Sequence, residues 1–382
     1  MTASELAACA VPQPAVRPGP AGGRARGRQA ALRTLRAMVD IPSVTGDEAR
    51  LASYTAERMT ELGYLARIDA AGNAIGEIGD AAGPSVMLLG HIDTVPGAVR
   101  VRREGDLLYG RGSVDAKGPM AAMMHAGAQA ADLAAARIVV VGAVGEEGDS
   151  AGARHLLASP RPDALVVGEP SGAGQVVIGY KGLLRLRYHL SRPAQHTSGP
   201  APGAVQAAAA AWAAIGERLA GLYAQDGPVF GRAVAALVGL RGNTENATAD
   251  VSVRVPAGFD SAGFVGWLRG VLAGGTVDVT EDVPAVRTTR ADPVVRALCA
   301  GIRLHAGEPA IKVKLGTSDL NVVQPHWGVP AAVYGPGDSH LDHSADEHLD
   351  LREYLLAIDV LSSALPGIAA AAARHRERGE AG

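Results

Sequence analysis

The feature that most restricts how this chain can fold is a series of short apolar runs with no polar alternation. They lie at residues 86–89 (Val-Met-Leu-Leu), 138–141 (Ile-Val-Val-Val) and 165–167 (Leu-Val-Val), with a later one at 331–333 (Ala-Ala-Val). A strand that is apolar at every position is buried on both faces, as in a parallel sheet covered by helices. An Ala/Met-rich stretch of helical length occupies 117–133, and another helix begins near Asp149 and Ser150, a polar pair suited to capping. Strand, helix and strand in succession predict an α/β fold with a mostly parallel sheet. Two helices precede it: Leu32, Leu35 and Met38, then Leu51, Tyr54, Met59 and Leu62, recur at helical spacing around a break at Ile41, Pro42 and Ser43.

The pattern changes near residue 178. Leu184, Leu186, Tyr188 and Leu190 alternate with Arg185, Arg187 and His189, the period of a sheet with one wet face. An Ala-rich helix over 204–222, an alternating strand over 247–255, a helix around 264–272 and a strand over 276–280 follow, two halves of a ferredoxin-like α+β unit. After Pro284 the buried style returns, with a helix over 293–305, the 331–333 run and a closing helix from Leu351. A smaller domain at 179–284 is therefore inserted into a larger one made of 28–178 and 285–382. Residues 1–27, with Pro12, Pro14, Pro18 and Pro20 and no continuous apolar core, read as a disordered tail and not as a signal peptide.

Composition removes several function classes. Thirty-six basic residues against 39 acidic ones give a net charge of −3, so no global basic field exists to bind nucleic acid. Cys9 and Cys299 are too few for a disulfide framework or a thiolate metal site, and point to a reducing cytoplasm. No run of about 18 uncharged apolar residues occurs, so no membrane span is expected.

The chemistry sits at the ends of the apolar runs, where open α/β sheets place their sites. His91 follows the first run, with Asp93 two residues on and able to fix its tautomer. Asp115 lies in a glycine-flanked turn (Gly110, Gly112, Gly118) that leads into a helix. Glu146 and Glu147 close the second run; adjacent side chains diverge, so one can ligate a metal while the other faces water. Glu169 ends the third run, and His343 stands in a polar loop after the fourth. Two histidines and several carboxylates without cysteine suit one or two divalent ions, zinc first, with cobalt as a substitute.

These motifs resemble the metallopeptidase family of acetylornithine deacetylase, succinyl-diaminopimelate desuccinylase, aminoacylase and carboxypeptidase G, over about residues 30 to 365. The resemblance implies one metal held by His91 and Glu169, a second by Glu147 and His343, and Asp115 bridging both. It implies Glu146 as general base, Asp93 as the group orienting His91, and a cis peptide between Asp115 and Ala116. The larger domain is then catalytic, and the insertion a lid through which the family dimerises. His196 of the lid would be an oxyanion donor, from the partner subunit in some members, and Asn243 and Arg254 would contact substrate, Arg254 as a carboxylate clamp. His340 competes with His343, which stands four residues before Glu347 as in the family.

Within the family, the segments containing Gly316, Thr317 and Ser318 and residues 334–339 look most like the LysW-lysine/LysW-ornithine hydrolases. That branch releases lysine or ornithine from the γ-carboxyl of the C-terminal Glu of a small acidic carrier protein. Lys181, Arg185, Arg187, Lys312 and Lys314 would meet the acidic carrier. The alternatives are a deacetylase of free N-acetylornithine or N-acetyl-lysine, and an inactive carrier-binding protein, which would be expected to lose the Glu pair or a ligand.

Overall fold

In the computed structural model, Ser85–His91 is a strand buried at all seven positions. It pairs in parallel with Arg137–Ala143 on one side and Ala164–Gly168 on the other, and the latter pairs in parallel with Ala331–Val333. The structure describes residues 21–380 apart from 195, 197, 198, 200 and 224–226. Successive side chains of these four strands enter different cores. Val86, Leu88, Val140 and Val166 join one cluster, while Met87, Leu89, Val139, Val141, Leu165 and Val167 join the other. Two buried faces are the reason the runs carry no polar residue.

The sheet reaches nine strands by additions the apolar runs did not announce. Ala74–Gly79 and Leu65–Ile68 extend one edge antiparallel. On the other side Gln175–Tyr180 pairs antiparallel with Ala331–Val333 and carries Ala310–Lys314 and Val286–Arg287. The Ala/Met helix is Lys117–Ala130, three residues shorter than expected and buried along almost all its length. At the helix Ala151–Leu156 the polar pair divides its work: Asp149 Oδ1 accepts the Ala151 amide at 3.1 Å, while Ser150 takes a left-handed backbone (φ 55°) and makes no side-chain cap.

The closing helix, Leu351–Glu380, contains an 18-residue window of mean hydropathy 1.8, long and apolar enough to cross a membrane. Its apolar face is spent on protein: Val360, Leu365 and Ile368 are fully buried, packed with Leu298 and Ile302 of the helix Pro293–His305. A Cβ at Gly301 would lie 2.6 Å from the Val360 carbonyl oxygen, so the two helices approach this closely only over a glycine. At the other end of the chain, the helix Ala21–Asp40 begins inside the stretch assigned to the 1–27 tail. No proline follows Pro20 until Pro42, so the helix anchored by Ala31, Leu35 and Met38 extends back through residues 21–27. Residues 1–20 lie outside the described residues.

The second sheet has four antiparallel strands in the order Val234–Gly242, Asn246–Val255, Gly182–Ser191, Thr276–Val283. With the helices Ala204–Leu222 and Ser261–Val271 over one face, this is the ferredoxin-like arrangement. The edge strand Val234–Gly242 escaped the sequence reading because its outward positions include Val234 and Val238, both exposed, which mask the alternation. The chain crosses between sheets twice, and one side chain ties both crossings: Asn321 Nδ2 donates to the carbonyls of Lys181 (3.0 Å) and Pro284 (2.9 Å).

Candidate active site

Four parallel strands deliver their next residues to one rim. His91 ends its strand with 1 % exposure, and Asp93, two residues on, is fully buried. The His91 Nδ1 lies 3.1 Å from the Asp93 carbonyl and 3.3 Å from its carboxylate. That carboxylate also accepts the backbone amides of Glu146 and Glu147, both at 3.0 Å, and the Thr45 hydroxyl at 2.8 Å. Asp93 therefore orients the imidazole and fixes the Glu pair. Gly145, at φ 75°, makes the turn that brings the two amides round to it.

Asp115 is held from the far end of the chain. Glu347 Oε1 accepts the amides of Val114 (2.9 Å) and Asp115 (3.2 Å), and its Oε2 pairs with Arg111 at 2.7 Å. Glu347 is 1 % exposed, and it closes the loop that carries His343, so one buried carboxylate sets Asp115 and His343 in register. In the sequence only the spacing of His343 to Glu347 is visible; the burial of Glu347 against the Asp115 turn needs the tertiary fold. The Asp115–Ala116 peptide is cis.

Two triads of possible ligands converge, His91 with Asp115 and Glu169, and Asp115 with Glu147 and His343. Asp115 belongs to both, with Oδ1 3.2 Å from His91 Nε2 and Oδ2 3.1 Å from His343 Nε2. His343 Nε2 is also 2.8 Å from Glu147 Oε1, and Glu169 Oε1 is 3.8 Å from His91 Nε2. A third grouping, His91 with Glu146 and Glu147, puts Glu146 beside the same centre. His343 is delivered in a left-handed backbone conformation (φ 62°), uncommon for a non-glycine residue and frequent at functional sites. His340, the competing histidine, pairs with Asp338 at 2.8 Å and belongs to neither triad.

The electrostatics call for cations. Burial pushes Glu146 well above the ordinary carboxylate range, and Glu169 up to about 8, with Asp115 adding to the Glu169 shift. Burial would raise Asp115 as well, but hydrogen bonds from His343 and His91 hold it below its ordinary value. The His343 imidazole is raised to about 10 by hydrogen bonds to Asp115 and Glu147. For His91 burial disfavours the charge, yet the hydrogen bonds to Asp115 and Asp93 prevail and raise it well above 6.5. Four carboxylates around two imidazoles in a buried site leave excess negative charge that two divalent ions neutralise. The donor set thus fits a two-metal centre.

A cavity of about 720 Å³ opens over this centre, lined by Asp115, Glu146, Glu147, Glu169 and His343. Gly316, Thr317 and Ser318 line its opposite wall, and Arg254 reaches in from the second sheet, donating to Thr317 Oγ1 at 3.3 Å. His196 and Asn243 are not brought there. Asn243 forms a turn whose side-chain oxygen accepts the amides of Glu245 and Asn246, and His196 is exposed in the neighbouring loop. That loop starts where Arg192 bonds Glu245 and ends where Gly203 packs on Thr244, so both residues occupy one outer end of the inserted unit. Of the basic residues expected to face an acidic partner, Arg185, Lys312 and Lys314 line the cavity. Lys181 does not: it is buried and donates to the Arg232 carbonyl at 2.5 Å. Arg187 pairs with Asp250 at 2.7 Å. Tyr180 and Asp342 line the cavity as well, although the sequence singles out neither: Tyr180 follows the short apolar stretch Val176, Val177 and Ile178, and Asp342 stands beside His343 in the same polar loop.

An α/β sheet with acid and imidazole groups gathered at its strand ends, under an inserted α+β lid, is the arrangement of a metal-dependent hydrolase. Residues 87–366 match the family model of peptidase family M20/M25/M40, and the chain belongs to that family. It is 40% identical over 351 residues to the [LysW]-lysine hydrolase of Deinococcus radiodurans, covering 88% of this chain and 96% of the relative. A putative [LysW]-lysine/[LysW]-ornithine hydrolase of Pyrococcus abyssi is 39% identical over 336 residues, covering 87% of this chain and 93% of the relative. Among solved structures, the aminopeptidase PepT of Bacillus cereus superposes with a TM-score of 0.74 at 17% identity, covering 90% of this chain and 99% of that one.

Proposed function

We propose that this chain is a dinuclear zinc hydrolase that releases lysine or ornithine from the γ-carboxyl of the C-terminal Glu of a small acidic amino-group carrier protein. The observation that carries this reading is identity of 39–40% to [LysW]-lysine and [LysW]-ornithine hydrolases across nearly the whole of both chains. Cobalt would substitute for zinc, and a reducing cytoplasm, where amino-acid biosynthesis takes place, is the compartment the two cysteines suit.

His91 and Glu169 would hold one ion, Glu147 and His343 the other, with Asp115 between them. Two divalent ions in such a site supply Lewis-acid polarisation of the scissile carbonyl and a water of lowered pKa. Glu146, which burial keeps basic relative to an ordinary carboxylate, takes the proton from the attacking water and passes it to the leaving α-amine. Asp93 holds the backbone of Glu146 in place for both transfers. Arg254, with Thr317 beside it, binds the carboxylate of the amino acid being released, and Gly316 and Ser318 complete that wall. His196 and Asn243 stand at the outer end of the lid, so they act in this reading only when a second copy, dimerised through the lid, presents them to the site.

The direct test compares lysine or ornithine joined to the carrier's terminal Glu with free N-acetyl-lysine and N-acetylornithine, on enzyme loaded with zinc or cobalt. Turnover on the carrier-linked compounds at a kcat/KM far above the acetyl compounds is expected. The reverse preference makes the chain a small-molecule deacetylase, and no turnover on either makes it a carrier-binding protein without activity.

A further inference from the structure

One wall of the cavity gathers polar groups around a lysine. The Tyr180 hydroxyl meets the Ser318 hydroxyl, and Asp342 Oδ1 is buried without a hydrogen-bond partner among the described residues. Lys314 stands among them. It ends the strand Ala310–Lys314, its side chain is 16% exposed, and its ammonium lies 4.0 Å from Asp342 Oδ2 and 5.8 Å from the Tyr180 ring centre. Neither is a hydrogen bond. A cation largely shielded from water with no hydrogen bond to a carboxylate is costly, and one that lines a cavity beside a buried hydroxyl describes a site completed by an anionic ligand.

The γ-glutamyl reading given above, on which this inference rests, says what that anion is. The substrate has two carboxylates, one on each side of the scissile amide: that of the amino acid to be released, and the α-carboxylate of the terminal glutamate. An N-acetyl amino acid has only the first. Of the cations that line the cavity, Arg185 pairs with Glu281 and Arg154 donates to the Asp149 carbonyl, while Arg254 enters from the lid strand and Lys314 from the edge of the catalytic sheet, beside Tyr180 and Asp342. Arg254 is already engaged with Thr317. We propose that Lys314 determines acyl-group specificity by binding the α-carboxylate of the γ-linked terminal glutamate, with the Tyr180 hydroxyl donating beside it and Asp342, 4.0 Å away, orienting the ammonium.

The test is a kinetic cycle on metal-loaded enzyme with three small substrates: γ-glutamyl-lysine joined through the lysine α-amine, the same compound with its glutamyl α-carboxylate converted to carboxamide, and Nα-acetyl-lysine. Wild type is expected to lose about 10- to 100-fold in kcat/KM on the carboxamide, mostly through KM, as fits a charge-assisted hydrogen bond. Lys314→Met should show a similar loss on γ-glutamyl-lysine, no further loss on the carboxamide, and a change on acetyl-lysine at least several-fold smaller than that on γ-glutamyl-lysine. Lys314→Arg should recover the preference. Carrier-linked lysine serves in place of the dipeptide if the dipeptide is too short to turn over, with the loss in Lys314→Met read against acetyl-lysine. An equal loss on acetyl-lysine, altered metal content in Lys314→Met, or a variant that still rejects the carboxamide overturns the proposal. A wild type that prefers acetyl-lysine to every γ-glutamyl compound overturns the parent reading instead, and this proposal with it.

Discussion

Asp93 accepts hydrogen bonds from Thr45 and from both amides of the Glu pair while facing the His91 ring, so a residue two positions from one ligand candidate also places the proposed base. Because those contacts are to the backbone of residues 146 and 147, the Glu146 side chain can be changed without releasing the loop. Glu146→Ala is therefore expected to keep two metal ions per chain, measured by elemental analysis, and to lose 10²- to 10⁴-fold in kcat. The third grouping, which places Glu146 with His91 and Glu147, gives the contrary outcome a meaning. Loss of one ion in Glu146→Ala would exchange the roles of the two glutamates. At this scale the residue types and their positions after apolar runs were legible in the sequence. Glu347 as the anchor of Asp115 was not, because its partners are over 230 positions away.

The helix Lys117–Ala130 illustrates what a buried element costs and how it is tuned. His125, on this helix, is 4% exposed, and Nε2 meets the Thr34 hydroxyl of the first helix at 2.9 Å. Burial, with Arg58 nearby, lowers its pKa to about 4. The unfolded chain takes up this proton near pH 6.5 and the folded chain only near pH 4, so His125 costs stability as the pH falls through that window. Relative to His125→Leu, the wild type should lose about 3 kcal/mol between pH 6.5 and pH 4, read from urea unfolding of the two proteins side by side. A constant difference over that range would show that the imidazole is protonated in the fold. Helices of this kind were readable from spacing alone, whereas the edge strands Leu65–Ile68 and Val234–Gly242 were not, since exposed or short strands carry no distinctive apolar period.

For the whole molecule, the relation of lid to catalytic sheet decides which side chains share the cavity. Asn321 joins both crossings to the helix Asp319–Trp327, and its Oδ1 accepts the Ser318 amide at 3.0 Å, so the lid hinge and the substrate wall are one hydrogen-bonded unit. Arg254 is thereby carried into the cavity while His196 and Asn243 are left at the far end of the lid. If a second copy supplies them, two inactive variants should complement. Mixing Glu146→Ala with His196→Ala after dissociation and reassembly should recover about a quarter of wild-type activity, since half the dimers are mixed and each has one intact site. Activity that stays at the level of the separate variants would confine each site to its own chain.

The sequence by itself determined the α/β class, the insertion and the placing of acid and imidazole residues just after the apolar runs. Short apolar runs bounded by glycine or polar residues suit doubly buried strands, and in a parallel sheet the residues following them emerge at a shared rim. The tertiary structure alone decided the assembly: which carboxylate anchors Asp115, that Lys181 is spent inside the lid while Lys314 enters the cavity, and that Arg254 reaches the site where His196 does not. These depend on contacts between residues far apart in the chain, and no local period or composition records where such segments will meet.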